Sequence, residues 1–392
     1  MARMSLIRFL QEQWTNIPKP STPAERDGEL EGHGIRKTIV VTGATSGLGL
    51  EAAKQFHQLP SSIVGKLILS NRDTRKVVEA EKFVTAGSIN RSRCQWSSLD
   101  LASFRSVTAF VDNLGSVEEV NCFIANAALA THKFTQTGDG WESALQVNYL
   151  SNALLSILLL PNLIQASTTS GVPSRLVFIS SDVHYSLPSR AVDAFRNAPN
   201  IIEAVSRKEY CTSSVMKQRT MLSKFFIVAF ARELASRLAP SPPSSSPPII
   251  ISSLNPGFCH SNLTRETESH FPGNLWLPLL KAAVARPSEV GGSVLVRGTL
   301  MLGKDDSLYS VKRESSDGNA TSWHGRYLSS CLQVLEESDL LLGEAGTELS
   351  RKIWDDTITI LKRLDPRVED ILVQYTVATT KGGSPAISEP DV

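Results

Sequence analysis

The chain has 392 residues, 41% hydrophobic and 20% charged, with a formal net charge of +1 and both signs intermixed. That length and apolar content suit one large core or two smaller ones, while the balanced charge excludes the one-sided electrostatic footprint that binds nucleic acid or anionic lipid. Cys94, Cys122, Cys211, Cys259 and Cys331 are scattered, odd in number and never spaced as C-x-x-C, which points to a reducing, cytoplasmic compartment without disulfides or a structural metal.

Residues 1–35 read as an arm. Its first 14 residues mix apolar and charged side chains in an amphipathic helical pattern ended by Pro18 and Pro20, with no long apolar stretch of the secretory kind. Packing against its own domain is the plain reading, and membrane contact the alternative. Residues 37–42 (KTIVVT) are an apolar run of strand length that ends in glycines, and 48–59 then take up helical spacing. A strand at 66–70, a helix at 73–84, a strand at 93–98, a helix at 101–114 and a strand at 120–125 follow. A long helix is predicted over 141–160 and a fifth strand over 175–180. The apolar run 149–164 is broken by Ser151, Asn152, Ser156, Pro161 and Asn162, too short and too interrupted for an integral membrane segment.

Beyond the fifth strand, 184–214 carries Pro188 and Pro199 and reads as an insertion walling a substrate pocket. An amphipathic helix is predicted over 221–238, a low-complexity surface loop over 239–248 (APSPPSSSPP) and a sixth strand over 249–254. Strands alternating with helices at these lengths imply an α/β fold: a single Rossmann-type, doubly wound parallel sheet with helices on both faces, spanning 36–302. A helical extension is expected over 303–380, and the polar, Gly/Pro-containing stretch 381–392 reads as a disordered tail. In such a sheet the ligand belongs at the carboxyl ends of the strands.

A phosphate-bearing cofactor needs backbone N–H groups aimed at its oxygens and no side chain in the way, which glycines at a strand-to-helix turn provide. Gly43, Gly47 and Gly49, with Ser46 and Leu48 between them, make that turn. Their spacing differs from the G-x-G-x-x-G fingerprint. Together with Asn126-Ala127-Ala128, Ser180-Ser181 and Ser223-Lys224 in this order, it resembles the short-chain dehydrogenase/reductase family. The closer resemblance is to the branch of retinol-dehydrogenase-like enzymes and reductases of fungal polyketide pathways, which the Phe9-Leu10-x-x-x-Trp14 and Gly325-x-Tyr327 to Trp354 segments share.

The resemblance implies a cofactor site and a reacting centre. Leu48 would pack by the pyrophosphate, and Arg72 would pair with a ribose 2′-phosphate, favouring NADP(H). Asp73 accepts from a 2′-hydroxyl or caps a helix, and Asp100 lies beside the adenine or caps the next helix. Asn126 would lie against the cofactor ribose. Pro256 and Gly257 would face the nicotinamide amide, with Ser261 or Thr264 as the threonine that follows in the family. Ser181 matches the orienting serine, Asn148 the asparagine of the water relay, and Lys224 the lysine that binds ribose and lowers a tyrosine pKa.

The tyrosine itself is absent. One helical turn before Lys224 stands Thr220, an aliphatic hydroxyl that is not an acid on the phenol scale and is shorter by a whole ring. Three outcomes stay open: hydride transfer with the proton from Tyr185, Tyr210 or a water held by Thr220 and Lys224; a non-redox step such as cyclisation, isomerisation or dehydration; or a catalytically silent binding protein. The expected substrate is a ketone or secondary alcohol on a medium-sized, partly apolar metabolite of the specialised, polyketide type. Family habit adds a homodimer through the helices at 141–160 and 221–238, although this branch includes monomers.

Overall fold

The computed structural model describes residue 13 and residues 35–87, 93–115, 118–238, 247–260, 263, 281–300 and 323–377. The expected arm helix over 1–14, the loop 239–246, Ser261, Thr264 and the tail 381–392 lie outside the described residues, apart from Gln13.

Eight strands form one sheet in the order 3-2-1-4-5-6-7-8, parallel throughout except for the last pair. The first six are those legible in the sequence: β1 (Lys37–Val41), β2 (Val64–Asn71), β3 (Cys94–Ser98), β4 (Cys122–Ala125), β5 (Ser174–Ile179) and β6 (Ile249–Leu254). Their Val/Ile/Leu-rich runs are what a sheet covered on both faces demands. β1 continues into α1 (Gly47–Gln58), β2 leads through a turn to α2 (Val77–Val84), and β3 leads to α3 (Phe104–Leu114). Because β1 pairs with β2 on one side and β4 on the other, the strand order reverses there and leaves a crevice beyond the carboxyl ends of β1 and β4.

The helix expected over 141–160 is not continuous. A short turn at Ser143–Leu145 passes into a π-helical turn at Gln146–Leu150, then α4 (Ser151–Leu158), and a new helix, α5 (Leu160–Ser170), departs at 46°. Pro161 stands in the first turn of α5: it supplies no N–H to a continuing helix and its ring would strike the preceding turn, so the chain restarts there. No single helix among the described residues is long and apolar enough to cross a membrane.

The helix carrying Lys224, α6 (Arg219–Arg237), departs from its expected amphipathic character and is buried on nearly every side. One face meets the sheet. The other is covered by the C-terminal segment, where Trp354 stacks on Phe230 with ring centroids 5.2 Å apart and Arg232 donates to the Leu341 carbonyl at 2.9 Å. In chain order between α6 and that covering helix, α7 (Ser288–Leu300) packs on α1, with Gly291 and Gly292 leaving room for Leu48 and the backbone of Ala52.

The described part of the extension is not purely helical. β7 (Arg326–Leu328) pairs parallel to β6 and β8 (Val334–Leu335) antiparallel to β7, before α8 (Gly343–Leu364) and α9 (Arg367–Tyr375). α8 lies on α6 and α9 on α4, whose residues are all buried. The two helices expected to make a dimer face are therefore covered by the chain's own C-terminal helices.

Candidate active site

The glycine turn is built by contacts in which a side chain would not fit. Gly43 has φ +70° and Gly47 φ +58°, a left-handed backbone natural to glycine. A Cβ on Gly49 would lie 2.5 Å from the Gly43 carbonyl oxygen and 2.6 Å from Asn126 Nδ2, so the first turn of α1 can sit against the loop only without one. Asn126 closes the crevice from the β4 side: its Nδ2 donates to Thr42 O at 2.8 Å, and its backbone N–H donates to Thr42 Oγ1 at 2.9 Å. On the β2 side, Gly43 N donates to Ser70 Oγ at 3.0 Å.

Ser46 is the N-cap of α1 in extended conformation, and its side chain makes no cap hydrogen bond. The first N–H groups of this 12-residue helix lack the partner a capping hydroxyl would supply, which is the electropositive cradle a diphosphate requires. Arg72 is exposed at the end of β2, two residues beyond Ser70. The residues present fit a dinucleotide phosphate.

The two expectations left open at the adenosine side divide. Asp73 accepts from Arg75 N at 3.1 Å and from the Arg75 guanidinium at 2.9 Å. It is the cap of the following turn, and those hydrogen bonds hold its carboxyl below the usual range. Asp100 does not cap α3, because Ser103 does, accepting from Ser106 N. Asp100 Oδ1 instead accepts from Ala102 N at 3.0 Å. Leu48 is half-buried and faces Gly291 of α7, where a Cβ would come within 2.5 Å of it.

Asn148, Ser223 and Lys224 form a bracket joining the loop after β4, the start of α6 and the end of β5. Asn148 sits in the π turn, a local widening often found at functional sites. Its Oδ1 accepts from Leu129 N at 2.8 Å, while Nδ2 donates to Leu129 O at 2.9 Å and to Ser223 Oγ at 3.1 Å. The Asn148 carbonyl oxygen accepts from Asn152 Nδ2 at 3.1 Å. Lys224 is buried and donates from Nζ to Ile179 O at 2.6 Å, at the end of the strand that presents Ser180 and Ser181. Desolvation pushes the ammonium down to about 8. Ser181 caps the turn after β5, its hydroxyl accepting from Val183 N at 3.4 Å. Thr220 is half-buried, and its carbonyl accepts from Ser223 Oγ at 3.0 Å.

The Tyr185 hydroxyl donates to the Glu336 carbonyl, and Tyr210 packs against the core with its pKa raised by burial. In the turn after β6, Gly257 has φ +81° and donates from N to Asn255 Oδ1 at 3.0 Å. Pro256 precedes it in the turn after β6.

Two groups of residues escaped the sequence reading. Arg219 and Glu142 form an ion pair with N···O 3.2 Å, both fully buried. The Glu142 carboxylate also accepts from Ala144 N and Leu145 N at 3.0 and 2.9 Å, and Arg219 donates to Val205 O at 2.9 Å. The pair thereby ties the 184–214 segment to both the Asn148 turn and the Lys224 helix. Arg219 stands directly before Thr220, but a charged residue at a helix start reads as solvent-exposed from sequence. The second group, Asp182, His184 and Tyr327, surrounds Ser181. His184 is held between Tyr185, tilted against it with centroids 4.0 Å apart, and Tyr327, edge-on at 4.6 Å, and burial pushes its pKa down to about 4. It is a neutral ring at physiological pH.

The sequence profile of the short chain dehydrogenase family matches residues 37–191. A short chain dehydrogenase of Arthrobotrys oligospora is 30% identical over 352 residues, spanning 88% of this chain and 97% of its own length. Another, from Gibberella zeae, is 30% identical over 372 residues, spanning 94% of this chain and 96% of that one. Among solved structures, an uncharacterised protein from Mycobacterium paratuberculosis superposes with a TM-score of 0.55 at 21% identity, over 86% of this chain and 96% of that chain. The NADPH-bound carbonyl reductase from chicken fatty liver gives 0.50 at 16% identity, over 77% and 99%. These two likenesses are of fold.

Proposed function

Since the chain belongs to the short-chain dehydrogenase/reductase family, we propose that it is an NADP(H)-dependent oxidoreductase of the cytoplasm. It interconverts a ketone and a secondary alcohol on a medium-sized, partly apolar metabolite of the polyketide type. The observation that carries this reading is the bracket itself: Asn148 bonded to Ser223, and Lys224 bonded to Ile179, two residues before Ser181.

In this reading the N–H groups of the turn from Gly43 to Gly49 and of the α1 N-terminus bind the diphosphate. Arg72 binds the 2′-phosphate, Asp100 lies beside the adenine, and Asn126 and Lys224 hold the riboses. When bound, the nicotinamide supplies or accepts the hydride. Ser181 donates a hydrogen bond to the carbonyl oxygen, holding it where negative charge develops. The proton comes to that oxygen from a water held by Thr220 and Lys224. Asn148 keeps the loop after β4 and the start of α6 in register, and Pro256 and Gly257 set the position of the ring amide. The 184–214 segment, anchored through Arg219, forms the pocket wall.

A second reading is favoured by one feature: Thr220 stands in the tyrosine position while the Tyr185 hydroxyl is already engaged by Glu336. It keeps the pocket but performs a non-redox step. Titration with NADPH and NADP+ tests the first reading, which fails if neither binds. Following the nicotinamide absorbance while supplying polyketide-type ketones separates the two, since product without cofactor turnover selects the second.

A further inference from the structure

We propose that Asp182 is a positioning residue that holds the nicotinamide-facing turn in register with the Ser181 hydroxyl, an inference resting on the oxidoreductase reading. Asp182 stands where the loops after β5 and β6 meet strand β7. Its Oδ1 accepts from the Tyr327 hydroxyl at 2.6 Å, and its Oδ2 accepts from Asn255 Nδ2. Asn255 turns its other end on the next loop, where Oδ1 accepts from Gly257 N at 3.0 Å. A run of hydrogen bonds therefore joins the residue after Ser181 to the backbone of the Pro256-Gly257 turn.

The order of donors and acceptors in that run is dictated by charge. An ionised carboxylate only accepts, so it compels Asn255 to present its NH2 group and leaves the amide oxygen aimed at Gly257. Gly257 sits at φ +81°, a conformation in which its N–H can be reached from this side. The support beneath Ser181 is equally directed: the Ser181 carbonyl is an acceptor only, so His184 Nδ1, 2.8 Å away, carries the proton of the neutral ring. That ring is clamped by Tyr327, itself fully buried on β7. The extension thus enters the site through one phenol that both clamps His184 and bonds Asp182. Hydride transfer and hydrogen bonding to one carbonyl need two separate loops at a constant spacing, and misplacement by a fraction of an ångström is costly.

The test exchanges the two partners. In Asp182→Asn the amide can keep its oxygen toward Asn255 and turn its NH2 to the Tyr327 hydroxyl, which accepts in place of donating, so the run survives. In Asn255→Asp two carboxylates face each other. Made together, the substitutions restore every match: the amide at 182 donates to the carboxylate at 255 and accepts from Tyr327, and that carboxylate accepts from Gly257.

Thermal unfolding midpoints are measured without ligand, and dissociation constants are measured for NADPH and for 2′,5′-ADP, which lacks the nicotinamide half. Asn255→Asp alone is expected to lower the midpoint and to weaken NADPH by about tenfold, with 2′,5′-ADP unchanged, Asp182→Asn alone to stay near the wild type, and the combined variant to recover both. The proposal is overturned if the combined variant is no better than the worse single one, or if both probes weaken alike. Where a single variant does not fold, Tyr327→Phe removes one hydroxyl and keeps the ring, and an unchanged ratio of the two constants overturns the proposal equally. Wild-type protein that binds neither probe removes the cofactor reading and this inference with it. Wild-type binding without coupling between 182 and 255 removes only the inference.

Discussion

Lys224 offers a test of the site that needs no ligand. Its ammonium is buried, with a folded-state pKa pushed down to about 8 from the ordinary 10.5 by desolvation alone. Below pH 8 the folded protein carries a charge it would rather shed, at a cost of about 3 kcal/mol relative to a solvated lysine, partly offset by the hydrogen bond to Ile179 O. Between pH 8 and 10.5 the folded state has released this proton and the unfolded chain has not. The unfolded state binds more protons in that window, so stability rises with pH there. Lys224→Met removes the titration. Urea denaturation of both proteins at pH 7 and pH 10 should show the wild type gaining about 2.5 kcal/mol on the variant over that interval, the contributions of all other groups cancelling in the difference. Parallel stabilities at the two pH values would mean that Lys224 is solvated in the folded protein, and the enclosed bracket of Asn148, Ser223 and Lys224 would be wrong.

Three further outcomes are expected. Thr220→Tyr should raise ketone reduction by roughly 10²-fold or more if the acid alone is missing, read as kcat in a nicotinamide absorbance assay; equal or lower activity would show a pocket shaped around threonine. Arg72→Ala should weaken NADPH far more than NADH, by about tenfold for a lost charge-assisted pair, and isothermal titration giving equal losses would refute its assignment to the 2′-phosphate. Glu142→Gln leaves Arg219 charged and fully buried without its partner, for a loss of about 3 kcal/mol in urea denaturation. Adding Arg219→Met should return part of that stability, and a combined variant no better than the single one would place the cost elsewhere.

Local pattern was enough to read the first six strands, because a parallel sheet buried on both faces needs unbroken apolar runs, and the glycines at 43, 47 and 49 were legible because only glycine accepts the backbone and the contacts found there. Asp73 and Asp100 carried two readings each, since a carboxylate that caps and one that binds a ribose are the same residue type in the same place. The interruption at Pro161 was legible, but the helix α5 that restarts there was not. Strand β7 was hidden because three residues carry too little periodicity to identify, and its pairing partner lies about 75 positions earlier. The burial of α6 on both faces, the Arg219–Glu142 pair and the Asp182–Asn255–Gly257 connection belong to the same class. Composition along the chain decides which segments become strands and which turn is built from glycines, since those depend on neighbours in sequence. Which charge is neutralised, which helix is covered and which loops are tied together depend on partners distant in sequence, and those only the folded arrangement brings within bonding distance.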